Sequence, residues 1–283
     1  MSEPRQHEPT RSGPRSWEMT AATVASGTQL LADPSRTDGW TVLIDGVPHS
    51  YVATNDPTVL RFECTRWMAA VIDHWGNPGE PVHVAHLGGA GGTIARYIAH
   101  CRPGSRQVVL EVDATLVEMA EQAFRLDELP GTHLRRADGR AGVEGLPDAS
   151  CDIVVRDAFL GDRVPAHLGT VEYYQEVARV LRPTGVHVAN TADNASSHES
   201  RYDAAAALEV FGDAAIIART AQLRSRRRGN VVLLASPDRI PGQSVEGIRQ
   251  RLTGDTRQTA YLPAAEVRDL VSGYRSRRDA DVV

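Results

Sequence analysis

Lysine is absent from this chain of 283 residues, and all 31 basic residues are arginine. The absence excludes a Schiff-base lysine, a lysine general base and the lysine-containing phosphate loop of nucleotide-binding proteins. Cysteine is scarce: Cys64, Cys101 and Cys151 form no CxxC pair, which argues against a disulfide framework or a structural zinc site. The histidines show no HxxxH or HxH spacing, so we predict no metal site.

Long apolar runs are also missing. No stretch of about 18 apolar residues occurs, so we predict no membrane span. The polar, Pro-rich start of the chain lacks the apolar region of a secretory signal, and the few, widely spaced cysteines favour a reducing, cytoplasmic location. The net charge of −5 argues against a nucleic-acid partner, because such binders usually carry a basic face.

The chain divides into four segments by pattern. Residues 1–27 mix Pro, Ser, Arg and Glu without a hydrophobic period, which predicts a disordered tail. Residues 28–56 alternate short β-like runs with turn residues, which predicts a small β-hairpin domain. Residues 57–240 form a Rossmann-like nucleoside-binding domain in this prediction, and residues 241–283 form a C-terminal helical extension.

Strand and helix patterns alternate through residues 57–240, which predicts a parallel sheet with helices on both faces. The last two strands, at 214–220 and 230–236, follow one another without a helix, so we expect one of them to be antiparallel. The predicted fold class is therefore α/β: a seven-stranded Rossmann-like sheet of the class I methyltransferase type, preceded by a small antiparallel β-domain.

Candidate ligand-binding residues follow the first three strands, because ligands of such sheets bind at the carboxyl ends of the strands. The first strand leads into a glycine loop, GGAGG at 88–92, where the backbone can approach a ligand closely. The second strand ends in Glu111 and Val112. An acid there accepts hydrogen bonds from ribose hydroxyls, and Glu111 follows Gly89 by the expected interval of about 20 residues.

The loop lacks the strict GxGxxG order of dinucleotide-binding proteins. Asp138 and Gly139 follow the third strand, where an acid can meet an adenine amino group, and an antiparallel last strand is typical of methyltransferases. These features favour S-adenosylmethionine or a derivative of it as cofactor. The predicted cofactor-binding residues are Gly88, Gly89, Ala90, Gly91, Glu111, Val112, Asp138, Gly139 and Asp157.

The stretch DGVPHSY at 45–51, the glycine loop, Glu111, Asp138 and the strand-ending Asp157 occur in the order found in the polyamine aminopropyltransferases, the spermidine synthases. The chain resembles this family over roughly residues 28–240, and it is most similar to a divergent bacterial spermidine synthase-like group. The resemblance implies a small β-domain before the nucleoside-binding domain, decarboxylated S-adenosylmethionine as a possible donor, and a homo-oligomer.

Three positions depart from the family pattern. Ala90 stands where the family's GGGDGG loop has an Asp that contacts the aminopropyl amine. In the family motif D[ST][ST]DP the first Asp deprotonates the attacking amine and the second holds the diamine; here Asp157 remains, and Leu160 replaces the second acid. His49 stands where the family has a Gln near the substrate. Because an unpaired buried ammonium costs several kcal/mol, these changes argue against transfer to putrescine.

Asp157 and His49 are the candidate catalytic residues. A carboxylate at the end of the fourth strand can act as a general base or stabilise a cationic substrate, and its alternative is to cap the next turn. A histidine titrates near neutral pH and can take a proton, unless it is simply satisfied within the hairpin. Candidate substrate contacts are His49, Tyr51 and Phe159, with strand packing as the alternative for Tyr51.

These residues predict a transferase that binds S-adenosylmethionine and methylates a small-molecule acceptor. The first alternative is a divergent aminopropyltransferase, in which Glu63 or Asp162 replaces the lost acid. A further alternative is a cyclase or a binding protein that transfers no group. Residues 161–168 resemble the lid loop of the family, and we refer to them as the lid segment.

Overall fold

The computed structural model describes residues 21–25, 27–89, 91–193, 198–224, 228–254 and 258–282. Ala90 of the predicted cofactor loop and residues 1–20 of the predicted tail lie outside these ranges. The tail prediction is wrong for the end of that segment, because Ala21–Ala25 forms a strand, β1, that pairs with the next strand.

A small antiparallel sheet begins the fold. It contains β1, β2 (Thr28–Ala32), β3 (Gly39–Ile44) and β4 (Val47–Ala53) in that order. The β3–β4 turn consists of Asp45 and Gly46, both with positive φ, which is the backbone that a two-residue hairpin turn requires. Leu30, Trp40, Val42 and Val52 of this N-terminal sheet are buried together. The small antiparallel β-domain of the predicted fold class is thereby confirmed.

The main sheet has eight strands in the order β12-β10-β11-β9-β8-β5-β6-β7. The strands are β5 (His83–Leu87), β6 (Arg106–Glu111), β7 (Thr132–Arg136), β8 (Cys151–Arg156), β9 (Leu181–Asp193), β10 (Ala214–Arg219), β11 (Gly229–Ala235) and β12 (Thr259–Leu262). Seven of them match the predicted strands. The eighth, β12, lies in the segment predicted as wholly helical and extends the sheet edge by pairing with β10.

Nine α-helices are found in the described residues. They are α1 (Glu63–His74), α2 (Thr93–Cys101), α3 (Ala114–Gln122), α4 (Gly139–Glu144), α5 (Val171–Val180), α6 (Glu199–Phe211), α7 (Thr220–Arg224), α8 (Gly242–Thr253) and α9 (Ala264–Leu270). None of these helices has the length and apolar character needed to cross a bilayer.

Two apolar clusters cover the two faces of the main sheet. Trp67, Met68 and Ile72 of α1 are buried on one face, and Tyr173 and Val177 of α5 are buried on the other. Residues three or four apart along each helix therefore face the sheet, which is the spacing of an amphipathic helix. This burial on both faces explains why the central strands are almost continuously apolar.

Strand direction places the candidate residues at one edge of the main sheet. Strands β5 to β9 run parallel, and β11 is antiparallel to both β9 and β10, as expected for one of the last two strands. The carboxyl ends of β5, β6, β7, β8 and β10 and the amino end of β11 consequently meet at the same edge.

Candidate active-site cleft

A cleft of about 1060 Å³ opens at this edge. Its walls come from the glycine loop, the ends of the central strands, the first half of β4, the start of α1 and the lid segment. It brings together most of the predicted site residues: His49, Gly88, Gly89, Glu111, Val112, Asp138, Gly139, Asp157 and Phe159.

Two glycines of the loop stand where a side chain does not fit. Gly88 has a φ of +87°, and a Cβ there would lie 2.5 Å from the carbonyl oxygen of Asp157. A Cβ on Gly89 would lie 2.6 Å from Cγ1 of Val109. The loop backbone therefore packs directly on β6 and β8 and leaves bare backbone toward the cleft.

The position of Gly91 differs from the prediction, which placed this residue in the cofactor site. A Cβ on Gly91 would lie 2.5 Å from Cγ2 of Val52 and 3.1 Å from Cβ of Ser50, so this glycine packs against the N-terminal sheet. Thr93 adds a hydrogen bond from its hydroxyl to the carbonyl oxygen of Tyr51, at 3.0 Å. Gly91 thus packs on the N-terminal sheet and does not line the cleft.

Glu111 closes the nucleoside end of the cleft. Its Oε2 accepts a hydrogen bond from the Gly89 amide at 2.8 Å, and its Oε1 accepts one from the Asp113 amide at 3.0 Å. These bonds fix the orientation of the carboxylate, and each oxygen retains a second lone pair. Beside it the Val112 side chain is 62% exposed, which provides an apolar surface for a flat ring.

Asp138 has two sets of partners. Its Oδ1 caps α4 by accepting from the Arg140 and Ala141 amides, at 2.9 and 3.1 Å, and its Oδ2 lies 2.9 Å from Nε2 of His167 in the lid segment. Burial acts to raise the pKa of Asp138, but the Ala141 and His167 hydrogen bonds outweigh it and hold the pKa below its usual value. The adjacent Gly139 packs on Leu87.

Asp157 lies at the end of β8 and is half-buried in the cleft. Its Oδ1 accepts a hydrogen bond from Nδ2 of Asn190 at 2.8 Å, and Oδ1 of Asn190 accepts one from Nδ2 of Asn230 at 3.2 Å. No loop amide donates to the Asp157 carboxylate within the described residues, so the alternative role as a turn cap is not realised. Burial raises the pKa of Asp157, and the Asn190 bond opposes that rise.

Arg156, the residue before Asp157, forms a buried ion pair with Asp203. Arg156 is fully buried and donates to Asp203 through Nη1 at 3.1 Å and through Nη2 at 2.6 Å. Its Nη2 also donates to the hydroxyl of Thr191 at 2.7 Å. The pair ties β8, β9 and α6 together directly behind Asp157 and Asn190.

The predicted substrate residues separate into two groups. His49 is half-buried in the cleft, where burial lowers its pKa against the opposing effect of Asp45, and Phe159 also lines the cleft. Tyr51 does not line it: the side chain is buried, and its hydroxyl donates to Asp33 at 2.7 Å. The predicted substrate contact of Tyr51 is therefore corrected to strand packing.

Charged pairs mark the far end of the cleft, which we call the acceptor end. Nε of Arg219 lies 2.7 and 2.6 Å from the two carboxylate oxygens of Glu63. Nη2 of Arg228 lies 3.4 Å from Oδ2 of Asp162. Leu160, which replaces the family's second acid, is 79% exposed. Cys64 lies beside Asn230, and burial raises the pKa of its thiol to about 12, so the thiol stays protonated at neutral pH.

The sequence did not identify Asn190, Asn230 or Arg219 as site residues. Each stands at the cleft edge of β9, β11 or β10, and only the strand order places them near Asp157. No group of three or more His, Cys, Asp or Glu side chains with the arrangement of a metal site occurs in the described part of the chain.

The chain is similar both to a family of methyltransferase domains and to a solved structure of a probable spermidine synthase. A family model described as "Methyltransferase domain" matches residues 85–189. The crystal structure of a probable spermidine synthase from Corynebacterium glutamicum is 33% identical and superimposes with a TM-score of 0.82, covering 89% of this chain and 92% of that chain.

Several sequence relatives are named polyamine aminopropyltransferase. The protein of Vibrio vulnificus is 30% identical over 139 residues, which is 48% of this chain and 46% of that relative. The protein of Chromobacterium violaceum is 26% identical over 198 residues, which is 70% of this chain and 72% of that relative. The chain thus spans about half the length of the Vibrio relative.

Proposed function

Because the chain belongs to the spermidine synthase-like family, within the class I S-adenosylmethionine-dependent methyltransferase fold, we propose that it transfers an aminopropyl group from decarboxylated S-adenosylmethionine to an amine. Methyl transfer was our main expectation from the sequence. The names of the relatives favour the aminopropyl alternative instead, and this proposal adopts it.

The nucleoside end of the cleft fits such a donor. Gly88 and Gly89 present bare backbone, Glu111 offers lone pairs for ribose hydroxyls, and Asp138 offers an acceptor for an adenine amino group. When bound, the donor supplies a sulfonium group, which activates the adjacent carbon and leaves as a neutral thioether. The protein then needs to align the acceptor nitrogen and receive its proton.

The chain of hydrogen bonds from Asn230 through Asn190 to Asp157 is the observation that carries the proposal. It holds a single carboxylate at the middle of the cleft with its Oδ1 bonded and its Oδ2 without a hydrogen bond to any described residue. Because burial raises the pKa of Asp157, this group is a stronger base than an ordinary Asp. In the proposed reaction Asp157 takes the proton that the acceptor nitrogen loses.

The first test compares products from the two donors. Purified protein is incubated with an amine panel and with either intact or decarboxylated S-adenosylmethionine. We expect 5′-methylthioadenosine from the decarboxylated donor. Release of S-adenosylhomocysteine from the intact donor would instead establish methyl transfer, and nucleoside binding without either product would favour the binding-protein or cyclase alternative.

The second test is Asp157→Asn, a nearly isosteric change that removes the base. We expect turnover to fall by about 10²–10⁴-fold, the usual contribution of a general base. Affinity for 5′-methylthioadenosine, measured by calorimetry, should stay within a few-fold of the unmodified protein. Turnover near the original rate would rule out Asp157 as the base.

Methyl transfer to a small metabolite is the second candidate. The match to a methyltransferase domain over residues 85–189 and the replacement of the family's second acid by Leu160 both favour it. The same product assay separates the two candidates.

A further inference from the structure

Both carboxylates at the acceptor end of the cleft are paired with arginines: Glu63 with Arg219, and Asp162 with Arg228. Among the described residues, the Asp157 carboxylate at the middle of the cleft forms no ion pair. A diamine at neutral pH carries two positive charges, and its second ammonium would lie beside guanidinium groups whose carboxylate partners are already engaged. Since like charges within a cleft repel, this lining does not match a plain diamine.

Arg219 offers an unusual arrangement of donors. Its Nε contacts both oxygens of Glu63, which fixes the guanidinium plane. No hydrogen bond within the described residues involves its two Nη atoms, and the side chain is 40% exposed in the cleft. The outer edge of a guanidinium is a pair of parallel donors that matches a carboxylate.

The strand order sets the span between Arg219 and Asp157. Strands β9 and β11 lie between β8 and β10, so three strand spacings, roughly 14 Å, separate the two backbones. Both side chains line the same cleft. The remaining gap suits a molecule of a few carbon atoms.

We infer that the acceptor is a short zwitterionic amine, an ω-amino acid, whose carboxylate binds Arg219 while its amine lies at Asp157. The inference rests on the proposed function and names its substrate class. The acceptor nitrogen forms one new bond to the propyl carbon, and the carbon–sulfur bond breaks with its electron pair left on sulfur. The proton from nitrogen passes to Asp157, so the products are an N-aminopropyl amino acid and 5′-methylthioadenosine.

Matched pairs of acceptors test the inference. β-Alanine, 4-aminobutyrate and 5-aminovalerate are each compared with the diamine of the same chain length, first by calorimetric binding in the presence of 5′-methylthioadenosine and then by turnover. We expect at least one amino acid to bind about 10-fold more tightly than its diamine, because a charge-assisted pair with arginine replaces a repulsion.

The variant Arg219→Gln identifies the residue responsible. It should weaken amino acid binding by about 10-fold or more and strengthen diamine binding, because Glu63 then lacks its cation. A structural role alone would not reverse the preference between the two acceptors. Arg219→Lys should recover only part of the preference, since an ammonium is not a planar pair of donors.

Arg182→Gln is the matched control. Arg182 pairs with Asp152, its side chain is 35% exposed, and neither residue lines the cleft. This variant should leave both acceptor affinities unchanged.

The outcomes separate the inference from the proposed function. Tighter binding of the diamines, no binding of either class, or a carboxylate preference that survives Arg219→Gln would overturn the inference. If diamines alone yield 5′-methylthioadenosine, the proposed function holds and the inference fails. If no amine yields it, the proposed function fails, and the Arg219-dependent binding preference still decides the acceptor class.

Discussion

Glu111 and Asp157 are both carboxylates at strand ends of the same cleft, but they have different surroundings. Glu111 accepts two backbone amides, whereas the Asp157 carboxylate accepts one side-chain amide and is desolvated. Desolvation disfavours the charged form of Asp157 and so raises its pKa. The first carboxylate is therefore suited to binding hydroxyl groups, and the second to exchanging a proton.

The Asn190 bond should control the proton affinity of Asp157. The bond opposes the rise in the pKa of Asp157, so Asn190→Leu should raise that pKa further. Because Asp157 must be charged to accept a proton, the acidic limb of the kcat/KM profile should move to higher pH. Asn230→Leu removes a bond only to Asn190, so it should cause a smaller shift of the acidic limb. The same pKa for the acidic limb in the unmodified protein and in both variants would contradict this account.

Sequence reasoning identified Glu111, Asp138 and Asp157 because each directly follows a strand, which is a local property of the chain. It could not identify Asn190, Asn230 or Arg219, because their nearness to Asp157 depends on the order of four strands, β8, β9, β11 and β10. Tyr51 shows the converse limit: its position in a motif suggested a substrate contact, but the strand face on which it lies turns its hydroxyl to Asp33.

At the scale of elements, the glycine loop and the end of β8 are in backbone contact. The missing Cβ of Gly88 makes room for the carbonyl group of Asp157, so the loop that faces the nucleoside end and the strand that carries the base share one packing constraint. A shift of either one displaces the other.

Gly88→Ala should therefore be more destructive than a simple loss of glycine flexibility. Gly79 has a similar φ, +77°, but nothing lies within 4 Å of a Cβ there, so Gly79→Ala should cost only the left-handed strain of about 1–2 kcal/mol. Gly88→Ala should cost about 1–3 kcal/mol more, from overpacking, and should also weaken 5′-methylthioadenosine binding. Denaturant unfolding and calorimetry measure the two effects, and equal losses in both variants would disprove the shared constraint.

The strands of the main sheet and the helices that cover it were largely predictable, because their apolar patterns extend over many residues. The exceptions are short: β12 has four residues, all of intermediate burial, and its pairing with the exposed edge of β10 leaves no alternating pattern in the sequence. Strand β1 is similar, since it is ordered by pairing with β2 rather than by its own composition.

At the scale of the whole molecule, the Arg156–Asp203 pair connects parts that are far apart in sequence. Besides the bonds to Asp203 and Thr191, Arg156 donates to the carbonyl oxygen of Leu168 in the lid segment. One buried guanidinium therefore joins two central strands, a helix and the lid segment. The homo-oligomer and the cytoplasmic location predicted from the sequence stay predictions.

Asp203→Leu should lower the free energy of unfolding by about 3–5 kcal/mol, because it leaves the Arg156 charge buried without its partner. The double variant Arg156→Met with Asp203→Leu should recover much of that loss, since no charge is then buried. Denaturant unfolding of the two single variants and the double variant measures the coupling. Additive losses would show that the two side chains act independently.

Because Gly91 packs on Ser50 and Val52, the N-terminal sheet cannot be exchanged independently of the glycine loop. The N-terminal sheet looks like a separable unit in sequence, but its last strand fills the space that a side chain at position 91 would need. A chimera that takes this sheet from a relative must therefore take the matching glycine loop as well. Over evolutionary time the two segments are expected to diverge as one unit.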